Sequence, residues 1–169
     1  ISSRKPFGLQ TTFKGKKRPF DGSIKIYQNG GVGYIAREEL KQSENTDLID
    51  KYKVFIPPLG SGSDSFPHAI LGKSFVAQPG TACTETYIIA GAFDELNKAK
   101  NLKSYLETRF LRFLVLLNKP SQHATRNVYH FVPKQDLSKP WTDEELYKKY
   151  GLNDEEISFI ESMIRPMEA

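Results

Sequence analysis

The chain has 169 residues, of which 38% are hydrophobic, 12% aromatic and 26% charged, an ordinary globular composition with enough residues to bury a core. Its net charge of +4 is compatible with a nucleic-acid partner but does not require one. The single cysteine excludes an intrachain disulfide framework, and no apolar run has the length of a membrane span. We therefore expect a cytoplasmic protein with no membrane partner, cut from a longer chain because it begins at Ile1.

The amino-terminal third begins with a cationic, irregular stretch and continues into strands. Residues 1–18 contain no acidic side chain and end in the run Lys14-Gly15-Lys16-Lys17-Arg18. Alternating apolar residues at 23–28 and 32–37 flank Asn29-Gly30-Gly31, which predicts a β-hairpin whose turn needs positive φ. Further strands are predicted at 53–56, 75–78, 82–90 and 128–132.

Residues 94–117 form the most strongly periodic segment. Their apolar residues recur every three or four positions, which predicts one long helix with one face in a core. The apolar positions are Ala99, Leu102, Leu106, Phe110, Phe113 and Leu117. The opposite face is predicted to carry Lys98, Lys100, Lys103, Arg109 and Arg112.

The carboxyl-terminal residues predict two capped helices. Thr142 with Glu145, and Asn153 with Glu156, have the spacing of capping boxes, and Gly151 is placed to end the first helix. The sum is an α+β fold: a mainly antiparallel β-sheet with one long central helix and a C-terminal helical tail. We expect a functional domain at 1–137 and a helical appendage at 138–169 that packs on it.

Motifs for catalysis or metal binding are weak. Gly72-Lys73-Ser74 lacks the upstream glycine of a phosphate loop, because Pro67 occupies that position. Cys83 and the three histidines have no zinc-ligand spacing, and Cys83 is more typical of a small core residue than of a nucleophile. The more specific catalytic hypothesis is a Mg²⁺-dependent nuclease that uses Asp21, Glu39 and Lys41. A protein-interaction module that docks through the capped helices is a third possibility.

Basic and polar residues gather instead in three predicted loops, at 14–18, 61–65 and 122–127. Arg and Lys neutralise phosphates, whereas Arg, Asn and Gln can also read base edges, so this chemistry favours DNA binding. The candidate base-contacting residues are Gln122, His123, Thr125, Arg126, Ser61, Ser63 and Asp64. The candidate phosphate-contacting residues are Lys14, Lys16, Lys17, Arg18, Arg37, Arg109 and Arg112.

Several runs together resemble a known family. They are Pro6-Phe7-Gly8-Leu9, the stretches 26–34 and 60–67, Cys83-Thr84-Glu85-Thr86-Tyr87, Thr125-Arg126-Asn127-Val128-Tyr129 and the stretch 138–147. Over nearly its whole length the chain resembles the C-terminal target-recognition region, a TaqI-like specificity domain, of adenine-specific DNA methyltransferases of bacterial restriction–modification defence systems.

The resemblance implies that the parent protein carries an N-terminal methyltransferase domain that binds S-adenosylmethionine and methylates adenine N6. That domain would receive a flipped adenine in an Asn/Asp-Pro-Pro-Tyr/Phe motif, and this sequence has neither that motif nor a glycine-rich cofactor motif. The chain itself is therefore expected to be non-catalytic and to hold no cofactor or metal. Its expected partners are double-stranded DNA and its own methyltransferase domain.

Overall fold

The computed structural model describes residues 1–59, 65–118 and 126–168. Within these ranges the chain is α+β, as the sequence predicts. The strands are β1 (Ser23–Gln28), β2 (Gly31–Ala36), β3 (Tyr52–Ile56), β4 (Phe75–Ala77), β5 (Thr81–Cys83) and β6 (Ile88–Phe93). The helices are α1 (Leu96–Glu107), α2 (Arg109–Leu117), α3 (Asp143–Lys149) and α4 (Asp154–Met163). Short 3₁₀-helices cover Arg37–Leu40, Thr46–Leu48 and Arg126–Tyr129.

The described strands form two three-stranded sheets. The first has the order β2-β1-β5, with β1 antiparallel to β2 and parallel to β5. The second has the order β4-β3-β6 and is wholly antiparallel. The predicted hairpin is confirmed, and Gly30 and Gly31 in its turn have φ angles of 86° and 144°.

The strand predicted at 82–90 is wrong as a single element, because β5 and β6 belong to different sheets. The backbone turns between them, where the Tyr87 N–H donates to the Thr84 carbonyl over 3.2 Å. The Thr84 side chain stabilises this turn by donating to the Thr86 hydroxyl at 3.0 Å. The alternating pattern of residues 82–90 continues through the turn, so the sequence gives no sign that the strand is broken there.

Strand β3 is the common wall of two hydrophobic cores. Val54 and Ile56 contribute to the first core, which is shared with α1 and α2. Phe55 between them contributes to the second core, which is shared with the first sheet. Both faces of this strand are therefore buried, which explains why Val54, Phe55 and Ile56 form a continuous apolar run in the sequence.

The single long helix predicted at 94–117 is wrong, because the chain breaks at Thr108. Thr108 is extended, with φ −67° and ψ 147°, and its hydroxyl accepts the Leu111 N–H at 3.2 Å as the N-cap of α2. The break changes the helical phase, so that Val115 is buried and Leu117 is 59% exposed. The N-cap preference of threonine was the local signal for this break.

The predicted caps of the C-terminal helices are confirmed, since both capping boxes form. At the end of α3, the Gly151 N–H donates to the Lys148 carbonyl at 3.2 Å and the Leu152 N–H to the Tyr147 carbonyl at 3.0 Å, which is a Schellman motif. Residues in or next to these two helices share the first core with α1 and α2: Trp141, Leu146, Tyr147, Ile160 and Ile164.

The strand predicted at 128–132 is wrong, because a 3₁₀-helix covers Arg126–Tyr129 and places Val128, 3% exposed, in the first core. A buried apolar residue in one short turn satisfies the same sequence pattern as a short strand. In the described ranges, each helix falls short of the length and apolarity that crossing a membrane needs.

Candidate nucleic-acid interface

Residues 14–18, here called the basic segment, are attached to the outer edge of β2. The Lys16 N–H donates to the Tyr34 carbonyl at 2.8 Å, and the Tyr34 N–H donates back to the Lys16 carbonyl at 2.9 Å. These two bonds make an antiparallel bridge, so the segment lies against the first sheet like a short extra strand. Its cationic side chains are therefore presented by a fixed backbone.

Two glycines allow this close approach. A Cβ on Gly15 would lie 2.6 Å from the Tyr34 nitrogen, and a Cβ on Gly33 would lie 2.5 Å from Gln28 Oε1. The buried Gln28 side chain uses that same oxygen to accept the Gly15 N–H at 2.9 Å. The backbone of the segment and the sheet are thus held together by contacts that a side chain at either glycine would disturb.

The cations of the basic segment differ in their contacts. Lys14 donates through Nζ to the Asn29 carbonyl in the hairpin turn. The Lys16 ammonium lies 4.7 Å from the centroid of the Phe20 ring. Lys17 and Arg18 are exposed and form no ion pair with the described part of the chain. All four cations of the basic segment, Lys14, Lys16, Lys17 and Arg18, therefore lack an ion pair with a carboxylate of the described residues.

A row of side chains continues from the basic segment across the sheet. Tyr34 is paired with Lys16 on one side and with Lys25 of β1 on the other, and directly opposed residues in antiparallel strands share a face. Lys25 lies 5.7 Å from the centroid of the Tyr27 ring, and the neighbouring Val32 is 46% exposed. The half-exposed face of the first sheet is therefore both cationic and aromatic.

Sequence reasoning missed Lys25 and Tyr34 as members of this surface. In β1, Lys25 points to the face opposite that of the buried Ile24 and Ile26, so its exposure could have been predicted from the alternation in the sequence. The pairing of Lys16 with Tyr34 across 18 positions had no local signal, and it is this pairing that brings the two lysines to one face.

Arg37, predicted to contact phosphate, has an acidic partner inside the chain. Its Nη1 donates to Asp50 Oδ1 at 2.9 Å and its Nη2 contacts Asp50 Oδ2. This bidentate hydrogen bond raises the pKa of Arg37 and lowers the pKa of Asp50. A phosphate would have to displace a matched carboxylate, which makes Arg37 a weak candidate.

Arg112 is wrong as a phosphate contact, because it is 1% exposed. Its guanidinium donates to three main-chain carbonyls, those of Thr108 at 3.1 Å, Glu107 at 3.1 Å and Ala69 at 3.2 Å. Burial lowers its pKa to about 10. The phase change at Thr108 turned this arginine from the predicted solvent face into the core, where it ties the start of α2 to the loop at 69.

Arg109 is half-buried and faces α4. Its Nη1 lies 3.5 Å from Glu161 Oε1, and its Nε is buried without a hydrogen-bond partner among the described residues. Both features fit a contact between α2 and α4 better than a contact with DNA.

Arg126 is exposed at the start of its 3₁₀-helix. Burial and then the charges of Arg126 and Lys134 lower the pKa of the Ile1 amino group, which places both cations close to Ile1. The next residue, Ser2, donates its N–H to the Ile89 carbonyl of β6 at 2.8 Å. Arg126 therefore lies near the second sheet, whereas the basic segment lies on the first.

The other candidate base-contacting residues lie outside the described ranges: Ser61, Ser63, Asp64, Gln122, His123 and Thr125. Among the described residues on either side of 119–125, Asn118 at the end of α2 donates through its side chain to the Asn127 carbonyl at 2.9 Å.

The residues of the nuclease alternative lie near the open end of the hairpin, since Asp21 precedes β1 and Glu39 follows β2. Lys41 contacts Glu38. Among the residues that the structure describes, no group of three or more His, Cys, Asp or Glu side chains is placed to hold a metal ion. Cys83 is fully buried in the second core, and burial raises the pKa of its thiol, so a thiolate nucleophile is disfavoured.

Comparison of the chain with known protein families, with curated proteins and with solved structures finds no match in any of the three.

Proposed function

We propose that this chain is a DNA target-recognition domain, the specificity domain of an adenine-N6 DNA methyltransferase of a restriction–modification system. The observation that carries the DNA-binding part is the attachment of the basic segment to β2, which places Lys16 and Lys25 on one sheet face with Tyr34 between them. The methyltransferase part is supported by the sequence resemblance.

In this proposal the two sheets have different tasks. Lys16, Lys17 and Arg18 neutralise phosphates of the duplex, joined by Lys25 on the same sheet face. Fixed ammonium and guanidinium groups set the register of the domain on the backbone but carry no sequence information. Arg126, beside the second sheet, is the described candidate for reading a base edge, because a guanidinium can donate two parallel hydrogen bonds to guanine.

The chain's own residues do not fit the adenosyl cofactor of the parent enzyme. Its glycine-rich stretch, Gly30 to Gly33, lies in the hairpin turn and in β2 and does not precede a helix, so it cannot place helix N–H groups on a cofactor. S-adenosylmethionine and the methyl transfer are assigned to the preceding methyltransferase domain. The role of the present chain is to hold the distorted duplex while the target base is flipped there.

Salt-dependent binding tests the DNA-binding part. Binding of the chain to random-sequence duplexes is measured by fluorescence anisotropy over a range of salt concentrations. Lys16→Ala should weaken binding to all sequences and lower the slope of log K against log salt by about one. The matched control is Lys98→Ala on α1, where the lysine already pairs with Glu95 at 3.0 Å, and its slope should equal that of the unmodified chain.

Three other outcomes would contradict the proposal. An unchanged slope for Lys16→Ala removes the basic segment from the interface. Absence of salt-dependent affinity favours the protein-interaction alternative that docks through α3 and α4. Cleavage of plasmid in the presence of Mg²⁺, lost in Asp21→Asn, favours the nuclease. The methyltransferase part is tested separately by the gene sequence that encodes the residues before Ile1, where we expect an Asn-Pro-Pro-Tyr motif.

A further inference from the structure

A groove of about 440 Å³ lies on α3, away from the basic segment in the sequence. It is lined by Lys139, Trp141, Glu145, Lys148 and Lys149. Its floor is fixed, because the Trp141 indole N–H donates to the Asp136 carbonyl at 2.8 Å and the Trp141 backbone N–H donates to the Ser104 hydroxyl at 2.9 Å. Trp141 is only 8% exposed, so the groove has a rigid aromatic base.

Two ammonium groups are held over this indole. Nζ of Lys139 lies 4.1 Å from the ring centroid and Nζ of Lys149 lies 4.9 Å from it. Lys149 also donates to Gln135 Oε1 at 2.6 Å and lies 5.7 Å from the centroid of Tyr150. A lysine side chain normally loses conformational entropy when it binds a ligand. These contacts already restrict the two side chains, so part of that loss is avoided on binding.

The charges of the groove do not cancel. Three lysines and one carboxylate line the groove, and the neighbouring Asp136 carboxylate interacts with Lys139 and Lys149, so one net positive charge remains. Glu145 is engaged at the amino end of α3: Oε1 accepts Lys139 at 2.8 Å, and Oε2 accepts the Thr142 N–H at 3.1 Å. Lys148 and Lys149, at the other end of the helix, form no ion pair with the described residues.

The helix alone explains only part of this cluster. Lysines in the last turn of a helix are favoured by its dipole, and Lys148 and Lys149 are in that position. Lys139 precedes α3 and has no such reason to be there, yet its ammonium lies on the same indole. The convergence of lysines from both ends of α3 is therefore a property of the tertiary structure.

We propose that this groove binds a phosphate group. Lys148 and Lys149 would donate charge-assisted hydrogen bonds to its oxygens. Lys139, whose charge is paired with Glu145, and the Trp141 ring beneath it would hold the Lys149 ammonium in position. The phosphate could belong to a nucleic-acid backbone or to a small phosphorylated molecule. The site rests on the geometry of the groove, and only the choice of a DNA backbone as its source rests on the proposed function.

The chain contains one tryptophan, so its fluorescence reports on the surroundings of Trp141. The intact chain is titrated with inorganic phosphate at constant ionic strength set with chloride, and separately with a short duplex, while tryptophan emission is followed. Calorimetry of the same titrations detects binding that leaves the emission unchanged. We expect a saturable response to phosphate, weakened about tenfold or more in the variant K148Q/K149Q, because both principal donors are lost.

K98Q on α1 is the matched control, since it removes one exposed lysine charge outside the groove, and it should bind phosphate like the unmodified chain. A response to the duplex that K148Q/K149Q also weakens identifies the DNA backbone as a source, whereas a response to inorganic phosphate alone identifies a small phosphorylated molecule. The proposal is overturned if neither titration responds by fluorescence or calorimetry, or if K148Q/K149Q and K98Q bind phosphate equally well.

Failure of the proposed function would look different. If the chain shows no salt-dependent duplex affinity but K148Q/K149Q weakens phosphate binding, the phosphate site is supported and the DNA-recognition function is contradicted. If Lys16→Ala lowers the salt slope but neither titration of the groove gives a response, the DNA-recognition function is supported and the phosphate site is contradicted.

Discussion

The carboxylate of Asp143 accepts the backbone N–H of Phe110 at 2.9 Å, although the two residues are 33 positions apart. Its other oxygen accepts the Arg109 N–H at 3.1 Å. Asp143 is the first residue of α3, and the amides belong to the first turn of α2, so one carboxylate joins the start of one helix to the start of another. Anionic groups are stabilised at helix amino ends by the exposed N–H groups and the helix dipole.

Asp143→Ala should therefore destabilise the fold by about 1–3 kcal/mol, because two partly buried N–H groups lose their acceptor. Asp143→Asn should lose less, since its amide oxygen still accepts one of the two bonds. Urea denaturation gives both values. Asp154→Ala is the matched control, as Asp154 has the equivalent first position in α4 and is exposed. Equal losses at the two positions would show that the contact with α2 adds nothing.

Gly15→Ala tests whether the position of the basic segment matters as well as its charge. The added Cβ would lie 2.6 Å from the Tyr34 nitrogen, so the bridge between Lys16 and Tyr34 must open or shift. We expect duplex affinity to fall although every charge is retained, together with a stability loss of about 1–3 kcal/mol from overpacking.

The control for Gly15→Ala is Gly151→Ala at the end of α3. Gly151 has a φ of 63°, and the space that a Cβ would occupy there is open, so alanine strains the backbone without displacing the segment. This variant should lose stability and keep its duplex affinity. Parallel losses of affinity in both variants would mean that affinity follows stability and not the placement of the segment.

Arg126→Ala should reduce discrimination between sequences by about 1–3 kcal/mol, because a lost bidentate contact affects one base pair more than the others. The measurement is selection of duplexes from a random pool, followed by the affinity of the chain for the selected and for shuffled sequences. Lys134→Ala removes the other cation near Ile1 and serves as the control. Uniform weakening on all sequences by Arg126→Ala would make Arg126 a phosphate contact.

Lys53 gives a pH dependence of stability. Its side chain is fully buried, and Nζ donates to the carbonyls of Ile49 at 2.8 Å and Lys51 at 2.7 Å. Burial lowers the pKa of Lys53 to about 8, below its ordinary value of 10.5. Between these two values the unfolded chain keeps a proton that the folded chain has released, so the Lys53 contribution to the free energy of unfolding becomes more favourable as pH rises.

Comparison with Lys53→Met isolates this effect from other groups. The free energy of unfolding of the unmodified chain, relative to Lys53→Met, should rise by up to about 1.4 kcal/mol per pH unit above pH 8 and stay constant below it. Urea denaturation at pH 6 to 10 measures the difference, and Lys51→Met, which removes a part-exposed lysine paired with Asp94 at 2.9 Å, is the control. Parallel pH profiles for the unmodified chain and Lys53→Met would contradict the assignment.

The sequence by itself determined the features whose cause lies within a few residues. The hairpin follows from the glycines after Asn29 and the alternation on either side of them, because turn geometry and side-chain period act locally. The capping boxes at Thr142 and Asn153 likewise need only a side chain and an amide three positions away. The cap at Thr108 was equally local but was masked by an apolar period that runs through it.

Only the tertiary structure decided which distant segments meet. It placed Lys16 beside Tyr34, buried Arg112 among main-chain carbonyls, and assigned β5 and β6 to different sheets. In each case the local pattern fits more than one arrangement, and the choice depends on backbone hydrogen bonds and core packing between residues far apart in the chain. A local pattern specifies how a segment can fold, whereas burial against the rest of the chain selects its neighbours.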